Sequence, residues 1–149
     1  MKRYIIIGLL VFLLIIQFVR PAKNNDVAET EKDYTHYVLA STEVTQVLKT
    51  ACFDCHSNHT NYPWYSEIAP FSWYLNHHVE EGKAELNFSD FSQYEKKRMA
   101  HKLEEISEEV KEHEMPLSTY TLVHTEAKLS EAQIELLSSW AEREKAKLE

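Results

Sequence analysis

The stretch "STEVTQVLKTACFDCH", Ser41 to His56, decides how the fold is read. Ser41 or Thr42 is placed to cap a helix, with Glu43 in its first turn. Val44, Val47, Leu48 and Ala51 then recur at helical spacing and form one apolar face. The helix runs straight into Cys52, Phe53, Asp54, Cys55 and His56, a segment that holds both cysteines of the chain. An amphipathic helix that delivers two thiols and an imidazole within little more than a turn must be explained by the chemistry of those three groups.

The rest of the chain extends the helical reading. Its 149 residues contain only 2 glycines and 4 prolines, too few for the frequent tight turns of a sheet protein. A second helix is expected from Pro70, with Phe71, Tyr74, Leu75, His78 and Val79 on one face and Gly82 as its end or weak point. A third should follow a Ser89–Asp90 cap, with Met99, Leu103, Ile106 and Val110 as a narrow apolar seam. Pro116 breaks the pattern at Met115. A last helix opens at Ser130, with Gln133 completing a capping box and Ile134, Leu137, Trp140 and Ala141 facing inward. The expected class is all-α.

The N-terminal part reads differently. Lys2 and Arg3 precede an apolar run from Tyr4 to Val19, closed by Arg20 and Pro21. That pattern predicts a signal anchor over residues 1–20, although the run is shorter than the roughly 20 residues of an ordinary spanning helix. It also predicts that the chain beyond Arg20 faces the periplasm from a bacterial inner membrane, in single-pass topology. Residues 21–35 read as a polar tether, and residues 36–149 as the functional domain. A net charge of −8 argues against nucleic acid as a partner.

Four chemistries compete for Cys52, Cys55 and His56. A thioredoxin-type redox pair expects a preceding strand, and none is predicted. A zinc site needs a fourth ligand and a familiar spacing. A disulfide between cysteines three apart closes too small a loop to stabilise much. The pattern C-x-x-C-H is also that of c-type haem attachment, and this reading explains more. Residues i and i+3 of a helical turn project to one side, so both thiols reach the same haem edge while the next residue offers its imidazole to the iron. Attachment consumes both cysteines, which suits an exported protein.

For a distal ligand the spacing leaves alternatives open. Met115 sits in the break before Pro116, where a thioether is free of the helical seams; ordinary loop packing explains it equally well. Met99 belongs to the seam. His59 is too close to His56 to cross a haem plane, while His77, His78 and His124 remain alternatives. Tyr62, Trp64, Tyr65, Phe71, Trp73 and Tyr74 read as a porphyrin wall or as plain core. The Nδ1 of His56 should find a backbone carbonyl, with the neighbourhoods of Pro63 and Pro70 as candidates. The acidic run from Glu104 to Glu114 is first a solvated helix face, and second a docking face for a basic redox partner.

Two blocks, "CFDCHSNHTNYPWYSEIAPFSWYLNHHVEEGKAELNFSDF" and "EMPLSTYTLVHTEAKLSEAQIELLSSW", resemble a family of bacterial haem-binding domains common in Bacteroidetes. These are single-haem, c-type cytochrome-like proteins, often with an N-terminal anchor. The resemblance implies one covalent haem c on Cys52 and Cys55, with His56 as proximal iron ligand and Met115, through its "MP" pair, as distal ligand. The expected function is one-electron transfer to redox partner proteins, membrane-associated ones included, with no substrate chemistry. A haem-based sensor or ligand-binding module with a labile distal site is the alternative, and an open-site peroxidase-like enzyme a weaker third.

Overall fold

A computed structural model describes residues 1–26 and 30–149. Residues 27–29, in the middle of the expected tether, lie outside the described residues. Among the described residues seven α-helices carry the fold: α1 Lys2–Ile16, α2 Thr42–Ala51, α3 Phe53–His56, α4 Phe71–Glu85, α5 Lys96–Lys111, α6 Ser118–Thr121 and α7 Glu131–Leu148. Short 3-10 turns join them. Among the described residues no strand forms, and one isolated antiparallel bridge links Asn25 to His59.

The N-terminal expectation is corrected. Helix α1 has 15 residues, about 22 Å at ~1.5 Å per residue, against a hydrocarbon core of about 30 Å. No helix among the described residues is long and apolar enough to cross a membrane. The anchor helix placed before the all-α domain, and the single-pass inner-membrane location with a periplasmic haem domain, are therefore not supported. The end of α1 and the residues after it meet the rest of the protein instead. The Gln17 side chain donates to the Ala69 carbonyl (3.1 Å) and accepts from the Ala69 N–H (2.9 Å). The indole N–H of Trp73 donates to the Val19 carbonyl at 2.7 Å, and Arg20 pairs with Glu67 at 3.1 Å.

Helix α2 starts at its serine. The Ser41 hydroxyl accepts from the Val44 N–H at 3.2 Å, and Val44, Val47, Leu48 and Ala51 are buried. Helix α7 starts with a complete capping box between Ser130 and Gln133. Its Leu137, Trp140 and Ala141 pack against Met99, Leu103, Ile106 and Val110 of α5 in one core with Tyr34, Phe88 and Phe91. The Trp140 indole donates to the Leu39 carbonyl at 2.9 Å, and the buried Glu144 carboxylate accepts from the Leu39 N–H at 3.0 Å. These two bonds hold the segment that enters α2 against α7.

Helix α4 runs through Gly82 to Glu85. Helix α5 begins at Lys96, later than a Ser89–Asp90 cap would place it. A 3-10 stretch, Phe88–Gln93, kinked at Asp90, occupies the intervening residues. Asn87 starts it by accepting from the Ser89 N–H at 3.0 Å, and Phe88 and Phe91 drop into the core. Local side-chain bonds here compete with helix and win.

Candidate haem site

Cys52 closes α2, with its N–H on the Leu48 carbonyl at 2.9 Å, and opens α3. The α3 turn closes through the N–H groups of Cys55 and His56, which both donate to the Cys52 carbonyl (3.2 and 2.9 Å). Both cysteines are free. Burial pushes the Cys52 thiol up to about 12 and the Cys55 thiol up to about 11, with the neighbouring Cys55 and Asp54 charges adding to each respectively.

The His56 ring is fixed by α4. Its Nδ1 lies 3.0 Å from the carbonyl oxygen of Leu86, the residue that ends α4. Burial holds the imidazole below its ordinary range, and hence neutral. A neutral ring that donates through Nδ1–H has its lone pair on Nε2. The carbonyl is Leu86's, not one near Pro63 or Pro70. Sequence could not select it, because the contact depends on where α4 ends.

Two further attachments hold the motif. Gly82 lies directly against it: a Cβ at Gly82 would stand 2.7 Å from the Cys55 carbonyl oxygen and 3.0 Å from the Cys55 Cβ. The Asp54 side chain, between the cysteines, accepts from the Asn61 N–H and side-chain amide (both 3.0 Å) and from the Tyr120 hydroxyl (2.7 Å). The Thr60 hydroxyl donates to the Asp54 carbonyl at 2.6 Å. The Asn-rich loop after His56 is therefore a brace for the attachment turn. Asp54 and Tyr120 were not singled out from sequence, since their meeting spans 66 residues.

Met115 is placed by the end of α5. His113 takes a left-handed conformation (φ 59°), its N–H donates to the Val110 carbonyl, and the Glu114 N–H donates to the Glu109 carbonyl (3.3 and 3.0 Å). This is a Schellman closure with histidine where glycine is usual. It turns the chain so that Met115 enters a cavity of about 310 Å³ together with Cys52, His56, Leu86, Phe88, Ile106 and Val110.

A second, larger cavity of about 670 Å³ also reaches the motif, at Cys55, and is lined by Cys55, Trp64, Tyr65, Phe71, Tyr74, Leu75, His78, Leu117 and Tyr120, among others. Four of the six expected wall aromatics are here. Tyr62 instead accepts from the Asn24 N–H, and Trp73 reaches Val19.

The rival ligands lie in different surroundings. His77 is exposed and pairs with Glu81 at 3.2 Å. The Nε2 of His124 is taken by the Tyr65 hydroxyl at 2.6 Å. His78 lines the second cavity; His59, His101 and His113 are exposed. Among the described residues no group of three or more His, Cys, Asp or Glu side chains is arranged to hold a bare metal ion.

A haem-binding domain model matches residues 11–143. The chain belongs to the haem-binding domain family. No curated protein matches it, and neither does any solved structure. Haem is thus the family's cofactor, and the residues present fit it: a cavity with Leu86, Phe88, Ile106 and Val110 on its apolar walls and Glu85, Glu105 and Glu109 in its lining, two thiols on one turn, and a neutral imidazole whose Nδ1 is already committed.

Proposed function

We propose that this haem-binding domain is a monohaem c-type cytochrome, with haem held covalently by Cys52 and Cys55 and iron held by His56 and Met115. Its work is one-electron transfer to redox partner proteins, without substrate chemistry. The supporting observation is that Cys52, His56 and Met115 line a single cavity, with no other methionine or histidine among the described residues lining it. The bound haem would supply a reversible one-electron couple of its iron. The protein's part is to orient and shield. The Leu86 carbonyl accepts a hydrogen bond from Nδ1–H of His56, which fixes the ring and makes Nε2 a more basic ligand. A Met115 thioether favours the reduced iron and a higher potential. Phe88, Ile106 and Val110 exclude water from between them.

Expression with c-type maturation factors, followed by a haem-stained denaturing gel, tests attachment. Covalent haem is expected, and its loss in Cys52→Ala and Cys55→Ala. A low-spin oxidised spectrum with a methionine–iron charge-transfer band, and no carbon monoxide binding by the reduced protein, is expected for the carrier. Met115→Ala should become high-spin and bind carbon monoxide. Rapid carbon monoxide binding by the unaltered protein would instead favour a ligand-binding module.

A further inference from the structure

The second cavity stands apart from the groups assigned to iron. It reaches the motif at Cys55, and neither His56 nor Met115 lines it. Its volume of about 670 Å³ falls in the range of pockets that enclose a small organic molecule, roughly 300–1,000 Å³. Trp64, Tyr65, Phe71 and Tyr74 give it aromatic walls. Its rim meets solvent, since Trp64 is 78%, Phe71 59% and Val123 63% exposed.

The walls are uncharged. Among the described residues no Asp, Glu, Lys or Arg lines this cavity. From Trp64 to His78 the single charged residue is Glu67, and it is neutralised away from the lining by Arg20 at 3.1 Å and by Lys23. From Pro116 to Thr125, the segment that supplies Leu117, Tyr120 and Val123, there is none. An ion moved into such a site loses hydration and gains no counter-charge, so the walls select a neutral ligand.

Two hydrogen-bond donors remain uncommitted in the walls. The Trp64 indole N–H finds no acceptor among the described residues. Tyr65 and Tyr120 are engaged by His124 (2.6 Å) and Asp54 (2.7 Å). Tyr74 and Thr119 share one bond of 3.1 Å between two hydroxyls, so one O–H of that pair is left to donate. His78 adds no handle, because its Nε2 is buried.

A matching ligand is neutral, flat enough to lie against aromatic rings, and furnished with acceptors. We infer that the second cavity binds a quinone, a neutral planar ring whose carbonyl oxygens accept from the Trp64 N–H and from the free hydroxyl of the Tyr74–Thr119 pair. An aromatic carboxylate has the acceptors but brings a charge that nothing in the walls meets. Cys55 in the lining sets the ligand beside the bond that holds the haem. This adds a small redox molecule to the protein partners proposed above. It rests on the covalent-haem reading, which places both iron ligands in the first cavity.

Calorimetric titration of the haem-loaded protein tests it. Menadione serves as the quinone, 2-methylnaphthalene as a similar ring system without carbonyls, and 2-naphthoate as an anion. Thioethers leave no thiol for the quinone to alkylate. Menadione should bind about tenfold more tightly than 2-methylnaphthalene, the effect of two modest hydrogen bonds, and 2-naphthoate should not bind. Trp64→Phe and the double variant Tyr74→Phe/Thr119→Val should each reduce the preference for menadione over 2-methylnaphthalene about threefold. A general loss of folding would weaken both ligands alike and leave that ratio unchanged. His77→Phe, at an exposed position of α4, should leave both affinities as they are. Equal affinity for menadione and 2-methylnaphthalene in the unaltered protein overturns the proposal, and so does 2-naphthoate binding as tight as that of menadione. A haem-loaded protein that binds none of the three also overturns it and gives this cavity to the haem. If the haem-stained gel shows no covalent haem, the reading beneath the proposal fails and the proposal with it, before any titration is made.

Discussion

Gly82 of α4 lies so close to the attachment turn that a single added carbon would stand 2.7 Å from the Cys55 carbonyl oxygen. Gly82→Ala therefore separates two effects of opposite sign. Alanine in a helix interior is favoured over glycine by about 1 kcal/mol. Overpacking against neighbours that cannot yield costs about 1–3 kcal/mol. The atoms met here are backbone atoms of the motif, which cannot rotate away, so overpacking should prevail. The variant is expected to melt lower than the parent and to carry less covalent haem. A higher melting temperature with full haem would show that α4 can move away from α3.

The Asp54–Tyr120 hydrogen bond joins the attachment turn to the segment that follows Met115. Hydrogen bonds to a charged group contribute about 1.5–3 kcal/mol, so Tyr120→Phe should destabilise by about that amount in urea denaturation. It should also loosen the segment from Met115 to Thr121. Faster carbon monoxide binding by the reduced variant, with haem still covalently attached, is the expected second readout. Lower stability with unchanged carbon monoxide behaviour would confine the bond to a structural role.

What could be read from sequence was local. The Ser41 cap, the Ser130–Gln133 box and the spacing of Val44, Val47 and Leu48 all act within one helix, so pattern alone finds them. Cys52, Cys55 and His56 share one turn and are found the same way. The Leu86 carbonyl, the Asp54–Tyr120 bond and the reason for Gly82 depend on elements distant in sequence that meet only on folding. Gly82 reads as a weak point in a helix until Cys55 lies beside it. Ser89 reads as a cap until its hydroxyl is seen accepting from the Asn58 N–H at 3.1 Å. The apolar run after Arg3 reads as an anchor because its basic start and apolar composition outweigh its short length, whereas the 15-residue helix it forms is bound by that length.

His113 gives a third prediction. Its φ of 59° costs an L-residue about 1–2 kcal/mol, a penalty glycine escapes. Glycine loses part of that gain through its freer unfolded chain, which leaves about 1 kcal/mol. His113→Gly should therefore raise the melting temperature by roughly 3 °C for a protein of this size. The two backbone bonds that close α5 involve no His113 side-chain atom, so Met115 should stay in place and the spectrum should not change. His113→Val, β-branched at the same φ, should lower the melting temperature instead.

The cysteines give a pH dependence whose sign distinguishes haem-free from haem-loaded protein. Folding raises the Cys52 thiol from 9.0 to about 12 and the Cys55 thiol from 9.0 to about 11, chiefly by burial. The folded state therefore holds these protons more tightly than the unfolded chain. The resulting stability is full below pH 9 and is lost as pH rises from about 9 through the folded values. Haem-free protein should lose urea stability progressively above pH 9, and alkylate slowly with iodoacetamide at pH 8 until it is unfolded. Tyrosines and lysines titrate in the same window, so the comparison is with a Cys52→Ala/Cys55→Ala double variant, in which the slope should be shallower. Thioethers carry no titratable proton. Haem-loaded protein should therefore match the double variant in its alkaline slope, whatever its absolute stability. A haem-loaded protein as steep as the haem-free one would mean that the sulfurs remain thiols and that haem is held without covalent bonds.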